Sequence, residues 1–366
     1  MSTTMRRSRT VRSLFLTTLA VGCITAVPSN LYAEPPVAEL RDALVEAQEQ
    51  YAAAAQLAYQ SGTGQFDVYL AAKQDWLRAL RKQASDHVQQ IALQERLTGS
   101  LLLDERRVQR LHDSGAHGGE EHTYRLVQLA ALLAERELIQ IGTRAYLDPT
   151  EILESAVSLT AAAASAYGVG TLTLDDYIQS LEAALDAELA VVATSEGRQA
   201  ACLQSLEHRK TLHHRVTALH EHGARGGEAE NLAQSRAALL DAQIRLAEVE
   251  EAVQPIPNQQ QLRSQHEEAL RDYVQHLQLA YEAGTRTFEQ LLRAHEQLSA
   301  AQLALASDGA QRGRLLDEHV MRLDVLDKQV RKLATVGARG GEATNVLASR
   351  IALLKAQLAL AEHGEG

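Results

Sequence analysis

The sequence predicts an all-α protein, an elongated antiparallel coiled-coil or helical bundle built from three tandem repeats in which long helices pair with split ones. Composition, two alternating turn motifs and the spacing of the apolar residues carry that expectation. Apolar residues make up 45% of the 366-residue chain, yet aromatics are 4% and prolines number six. Alanine and leucine dominate, so thin layers between helices are expected, rather than a sheet or a broad globular core.

The first turn motif is Tyr59-x-x-Gly62-Thr63, repeated at Tyr167-x-x-Gly170-Thr171 and Tyr281-x-x-Gly284-Thr285. The second is Gly115-Ala116-His117-Gly118-Gly119-Glu120, repeated from Gly223 to Glu228 and from Gly337 to Glu342. The two kinds alternate with constant spacing, which marks an internal repeat. Helical repeats are therefore placed at 34–147, 148–255 and 256–366. Gly62, Gly170 and Gly284 suit the left-handed conformation that ends a helix. Thr173 and Thr287 then stand where N-caps belong, with Asp176 and Gln290 three residues on.

Between the turns, apolar residues recur at alternating steps of three and four. Val37, Leu40, Leu44, Ala47, Tyr51, Ala54 and Ala58 form one stripe, and Leu347, Ile351, Leu354, Leu358 and Ala361 another. Such spacing with alanine at the seams suits close, supercoiled helices. Segments 65–113, 173–221 and 287–335 lack proline and would each run roughly 73 Å if unbroken. The return segments are split by Pro149 and by Pro255-Ile256-Pro257, which stop the helical hydrogen-bond ladder. On this reading the two turn kinds sit at opposite ends of a rod, the chain termini meet near its middle, and two chains could complete a twelve-column tube. A competing reading breaks the long helices near Ser85-Asp86, Ser195-Glu196-Gly197 and Ser307-Asp308-Gly309, giving hairpins of about 25 residues per helix and a shorter, fatter bundle.

Residues 1–33 have the layout of an export signal: Arg6, Arg7, Arg9 and Arg12, an apolar stretch from Leu14 to Val27, then Leu31-Tyr32-Ala33 as a cleavage site. Cys23 offers a lipoprotein alternative. Removing the signal leaves 32 basic against 47 acidic side chains, a balance that repels nucleic acid. No later stretch is apolar enough for a transmembrane helix. A periplasmic or secreted location is expected.

The run Tyr281-x-x-Gly284-Thr285-x-Thr287-Phe288-x-x-Leu291-Leu292-x-Ala294 resembles the coiled-coil hairpin of TolC-like outer-membrane efflux proteins, and Tyr167 to Ala184 and Tyr59 to Ala79 are weaker copies. The resemblance implies a tip-like contact surface at Gly62, Gly170 and Gly284, with Asp67, Asp175 and Glu289 behind each turn, and a periplasmic adaptor protein as partner. The family has two repeats and membrane strands, whereas this chain has three repeats and no room for a strand pair. A channel function therefore does not carry over.

Chemistry is sparse. His112, His117 and His122 flank one glycine-rich turn, and His208, His213, His214, His220 and His222 precede another, but the third copy has none near Gly337. A role repeated three times does not depend on a ligand that one copy lacks, so no metal site is assigned. No nucleophile elbow, zincin, Walker or dinucleotide motif is present. Asp175 and Asp176 read as capping acids, and Cys202 as a small packing residue. No catalytic residue or cofactor is expected. The expected function is a non-catalytic helical scaffold or interaction protein of the cell envelope, the alternative being an auxiliary or degenerate component of an efflux system.

Overall fold

The computed structural model describes residues 36–61, 65–84, 86–115, 120–141, 149–251, 259–338 and 340–365. The expected export signal, Cys23, Gly62 and Pro255-Ile256-Pro257 lie outside the described residues. Those described form twelve α-helices and no strand. The first repeat contributes α1 (Val37–Gln60), α2 (Phe66–Gln83), α3 (His87–Asp113) and α4 (Glu121–Gln140). The second contributes α5 (Pro149–Gly168), α6 (Leu174–Val191), α7 (Ser195–Glu221) and α8 (Ala229–Glu251). The third contributes α9 (Gln259–Glu282), α10 (Phe288–Leu305), α11 (Gly309–Thr335) and α12 (Ala343–Glu365).

The all-α antiparallel bundle forms, but the unbroken helices over 65–113, 173–221 and 287–335 do not. Each is cut into an 18-residue and a 27-residue helix. The cause is local capping. Asp86, Thr194 and Asp308 adopt extended backbone, and their side chains accept the N–H of Gln89, Gly197 and Gln311 at 2.8, 3.1 and 2.7 Å. A capped N-terminus satisfies an otherwise orphaned donor, so the chain reverses at small cost and both halves gain a neighbour. Lys73 reaches Asp104 at 2.7 Å and Arg81 bonds Gln94, which places α2 and α3 side by side and antiparallel. The breaks near Ser85, Ser195 and Ser307 are thus the reading the fold follows.

The split returns also fold back instead of stacking end to end. Leu129 of α4 shares a core with Ile152 and Ala156 of α5, and Arg263 of α9 bonds Glu248 of α8 at 3.1 Å. Every column of the expected rod is therefore doubled over at its middle. Finally α12 packs on α1 through Leu40, Ala47, Ile351 and Leu354, and Arg41 pairs with Glu362 at 2.6 Å. This closes the circuit of helices within one chain. The start of α1 and the close of α12 do meet, through Arg41 and Glu362, but at the end opposite the turns and not halfway along a rod.

Even-numbered and odd-numbered helices differ in surroundings. Besides its chain neighbours, α4 touches α2 and α6, α6 touches α8, and α10 touches α12. Burial agrees with this: α3 buries one stripe, Gln94, Leu97, Leu101, Asp104 and Val108, whereas α6 buries Leu174, Asp175, Tyr177, Ile178, Ser180 and Leu181 around its circumference. A single stripe suits a helix covered on one side, and burial all round suits an inner one. The even-numbered helices line the inside and the odd-numbered helices form the outer layer.

This order corrects the expected placement of the turns. Each connection from an outer helix to the following inner helix lies at the same end, so the tyrosine–glycine and glycine–glycine–glutamate turns share one face. The Tyr281 hydroxyl lies 2.7 Å from the point a Cβ on Gly340 would occupy, and Arg286 donates to Asn231 Oδ1 at 2.8 Å. The capped breaks and the starts of α1 and α5 lie at the other end.

Candidate functional site

The turn-bearing face is built by the same devices in successive repeats. Gly170 and Gly284 take φ of +78° and +74°, the left-handed conformation that closes α5 and α9. Thr173 and Thr287 then cap α6 and α10, accepting the N–H of Asp176 and Gln290 at 3.2 and 3.3 Å. In the other turn kind, Asn231 Nδ2 donates to Gly226 O at 3.2 Å and to Glu228 Oε2 at 2.7 Å, and Asn345 repeats both bonds with Gly340 O and Glu342 Oε2 at the same distances. A Cβ on Gly227 or Gly341 would collide with the backbone nitrogen of His220 or Ala334, so these turns lie directly on the preceding helix. Burial raises the Glu228 carboxyl, but backbone N–H groups, Arg286 and Asn231 outweigh it and the net direction is down.

The residues expected at a tip divide between the face and the interior. Gly170 is exposed at the turn and Gly284 half-buried, while Gly62 lies outside the described residues and Asp67 is the second residue of α2. Asp175 is buried. It accepts from Arg293 and Gln179 on one oxygen and from Gln234 on the other, each at 2.7 Å, joining α6, α8 and α10. Glu289 faces Arg293 at 3.4 Å on the wall of a central cavity. Arg293, absent from the sequence expectations, is thus the cation on which both acids converge. It replaces Ala71 and Gln179 at the matching positions of the other repeats, and that disagreement between copies is the signal that marks it.

Polar side chains continue inward. A cavity of about 420 Å³ lies between α2, α4, α6 and α10, with Arg78, His122, Asp176, Gln179, Glu289 and Arg293 on its wall. Two others occupy junctions between repeats. One, about 360 Å³, lies between α6, α8, α9 and α10, and the other, about 840 Å³, between α12, α1 and α2. They are counterparts. Arg263 and Arg41 stand at the same distance before their tyrosine–glycine turns, and each pairs with the matching glutamate, Glu248 at 3.1 Å and Glu362 at 2.6 Å.

Behind the first junction cavity sits Arg209, with no exposed side-chain surface. Its Nη1 donates to Asp241 and to Ala238 O at 2.8 Å, Nη2 lies 3.8 Å from Glu182, and Nε and Nη2 lack hydrogen-bond partners. Burial raises the Glu182 carboxyl above its ordinary range against the pull of Arg209.

The histidines near the glycine-rich turns are engaged locally. His112 faces Glu121 at 3.0 Å and stacks on Tyr124, His122 bonds Ser180 at 2.8 Å, His213 bonds Ser235 at 3.0 Å, and His220 bonds Gly227 O at 2.6 Å. His117 lies outside the described residues, among which no group of three or more histidine, cysteine or acid side chains has metal-holding geometry. Cys202 is buried against Arg245 O, and burial pushes its thiol up, away from the reactive thiolate. No described helix is long and apolar enough to cross a membrane. No protein-family model matches the chain, and no curated protein matches it.

Proposed function

We propose that this chain is a non-catalytic helical scaffold of the cell envelope that engages a protein partner through the turn-bearing face of its ring. The observation that carries the reading is the convergence of both turn kinds on one braced face, from which Val169 and Val336 project at 74% and 69% exposure. Exposed aliphatic residues beside fixed backbone suit a contact surface, because little ordering entropy is lost on docking. The envelope location rests on the signal-like order of residues 1–33. Photo-crosslinkers at Val169 and Val336, with a control at Gln311 on the opposite end, test it in cells. A discrete crosslinked partner from the turn face alone is expected, and equal labelling from both ends overturns the reading.

The narrower efflux reading is supported by the tyrosine–glycine turns, whose left-handed glycines stand at the same face. A transport adaptor as the crosslinked species would select it.

A further inference from the structure

The two junction cavities share three matching walls, α8, α9 and α10 in one and α12, α1 and α2 in the other, but differ in charge. Counting from the turns of each repeat, Lys355 replaces Asp241, Arg78 replaces Ala300, Lys82 replaces Ala304 and Gln48 replaces Leu270. Three cations and one amide are therefore new to the cavity between α12, α1 and α2, while Ala359 and Asp75 stand where the other cavity has Arg245 and Gln297. Its other charges are largely matched: Arg41 pairs with Glu362 at 2.6 Å, Lys355 with Asp75 at 3.5 Å, and Gln83 donates to Asp42 at 3.2 Å. Arg78 and Lys82, one helical turn apart on α2, make no ion pair with any described residue. Gln48 lines the same cavity, is only 5% exposed, and its buried Oε1 has no hydrogen-bond partner. An orphaned buried acceptor is costly to the fold, and a donor delivered from the cavity would satisfy it.

The geometry points to a binding site for a small hydroxylated phosphate ester in this cavity, with Arg78 and Lys82 on the phosphate and Gln48 Oε1 accepting from a ligand hydroxyl. A phosphate monoester carries close to two negative charges, matching two unpaired cations, whereas a single carboxylate would leave one of them unmatched. Asp42, Asp75 and Glu362 on the wall, with Glu296 near Lys355, oppose longer polyanions. Free glycerol 3-phosphate supplies both the doubly charged monoester and the hydroxyl, whereas a phosphatidylglycerol headgroup, a diester with one charge, leaves one cation unmatched.

Calorimetric titration of the exported protein at low salt, with glycerol 3-phosphate, inorganic phosphate and phosphatidylglycerol or phosphatidylcholine vesicles, tests the site. Saturable one-to-one binding of glycerol 3-phosphate is expected, weakened roughly tenfold by Arg78→Ala and by Lys82→Ala. Both side chains are exposed, so these variants keep the fold. Gln48→Leu should weaken glycerol 3-phosphate and leave inorganic phosphate unchanged. Binding to phosphatidylglycerol vesicles without binding of glycerol 3-phosphate overturns the monoester assignment. No saturable binding in any arm, or binding indifferent to Arg78→Ala, overturns the proposal. The turn-face crosslinking reads the opposite end of the ring, so either proposal can fail alone.

Discussion

The second repeat buries Arg209 where the first and third bury Leu101 and Leu323. All three stand at the same distance before a glycine-rich turn, on the inward stripe of a 27-residue helix. The leucines join the apolar cores of their repeats, while the arginine needs Asp241 and Glu182 around it. The first repeat carries Leu133 and Gln74 at those two matching positions. One backbone thus accepts either an apolar layer or an ionic one. Repetition sets the scaffold, and departures from repetition set its local chemistry.

The largest expected effect comes from breaking that ionic layer halfway. Arg209→Leu leaves Asp241 and Glu182 facing an apolar side chain, and losing one partner of a buried pair costs about 3–5 kcal/mol. Arg245 retains Asp241 at 3.1 Å, which favours the lower end. Transplanting the whole first-repeat layer, Glu182→Gln with Arg209→Leu and Asp241→Leu, should recover stability to within about 1 kcal/mol of the parent. Urea denaturation of the single and triple variants measures both. A triple variant no more stable than the single one would show that the layers are not interchangeable.

How much of this was legible in the sequence follows the same division. Turn spacing and three-four stripes report local conformation, so the all-α bundle and the glycine and threonine caps at Gly170, Thr173, Gly284 and Thr287 could be read directly. The doubling of the long segments was visible only as a weak signal, because Asp86, Thr194 and Asp308 cap breaks without proline, and the first break has no glycine beside it. Unbroken long helices put the two turn kinds at opposite ends, and that placement fails because one extra reversal per column brings both kinds to one face. Asp175 shows the remaining limit. Its position after a turn suggested an exposed tip, but the ligating groups of Arg293, Gln179 and Gln234 come from three helices, and no local pattern reports that convergence.

The third repeat breaks symmetry with histidine, and pH should expose it. His319 is 8% exposed where the first repeat has Leu97, and its Nδ1 has no hydrogen-bond partner. Burial first, then Arg322 and His295, pushes it from the usual 6.5 down to about 4. The folded protein therefore holds the neutral ring, and between these values the unfolded chain binds the extra proton. Stability is full above about pH 6.5 and falls as pH drops toward 4, by on the order of 3 kcal/mol from this residue. His319→Leu should flatten that part of the stability–pH curve. An unchanged slope would remove His319 as its source.

Smaller effects separate two kinds of turn glycine. At Gly170 a Cβ would meet nothing within 4 Å, so Gly170→Val tests conformation alone and should cost about 1–3 kcal/mol for a branched residue at positive φ. Gly227→Ala should cost at least as much although alanine is smaller, because its Cβ would press on the His220 backbone. Thermal unfolding of the two variants ranks them. A harmless Gly227→Ala would mean that the turn can lift off α7.

The finest comparison is between Asn231 and Asn345, which make identical bonds to the backbone carbonyl and glutamate of their turns. Only Asn231 also accepts from an arginine of the next repeat, Arg286, at 2.8 Å, since the residues matching Arg286 in the other repeats are Leu172 and Gly64. Replacing either asparagine with alanine removes the two donated bonds, and Asn231→Ala additionally strips a charge-assisted bond that joins the second repeat to the third. Each net bond contributes about 1 kcal/mol, more when one partner is charged. Asn231→Ala should therefore destabilise by about 1 kcal/mol more than Asn345→Ala, and Arg286→Ala should abolish most of that difference when combined with each. Equal losses in the two asparagine variants would show that the arginine is held by Glu230 alone, and that the turns are braced within their own repeats and not across the junction.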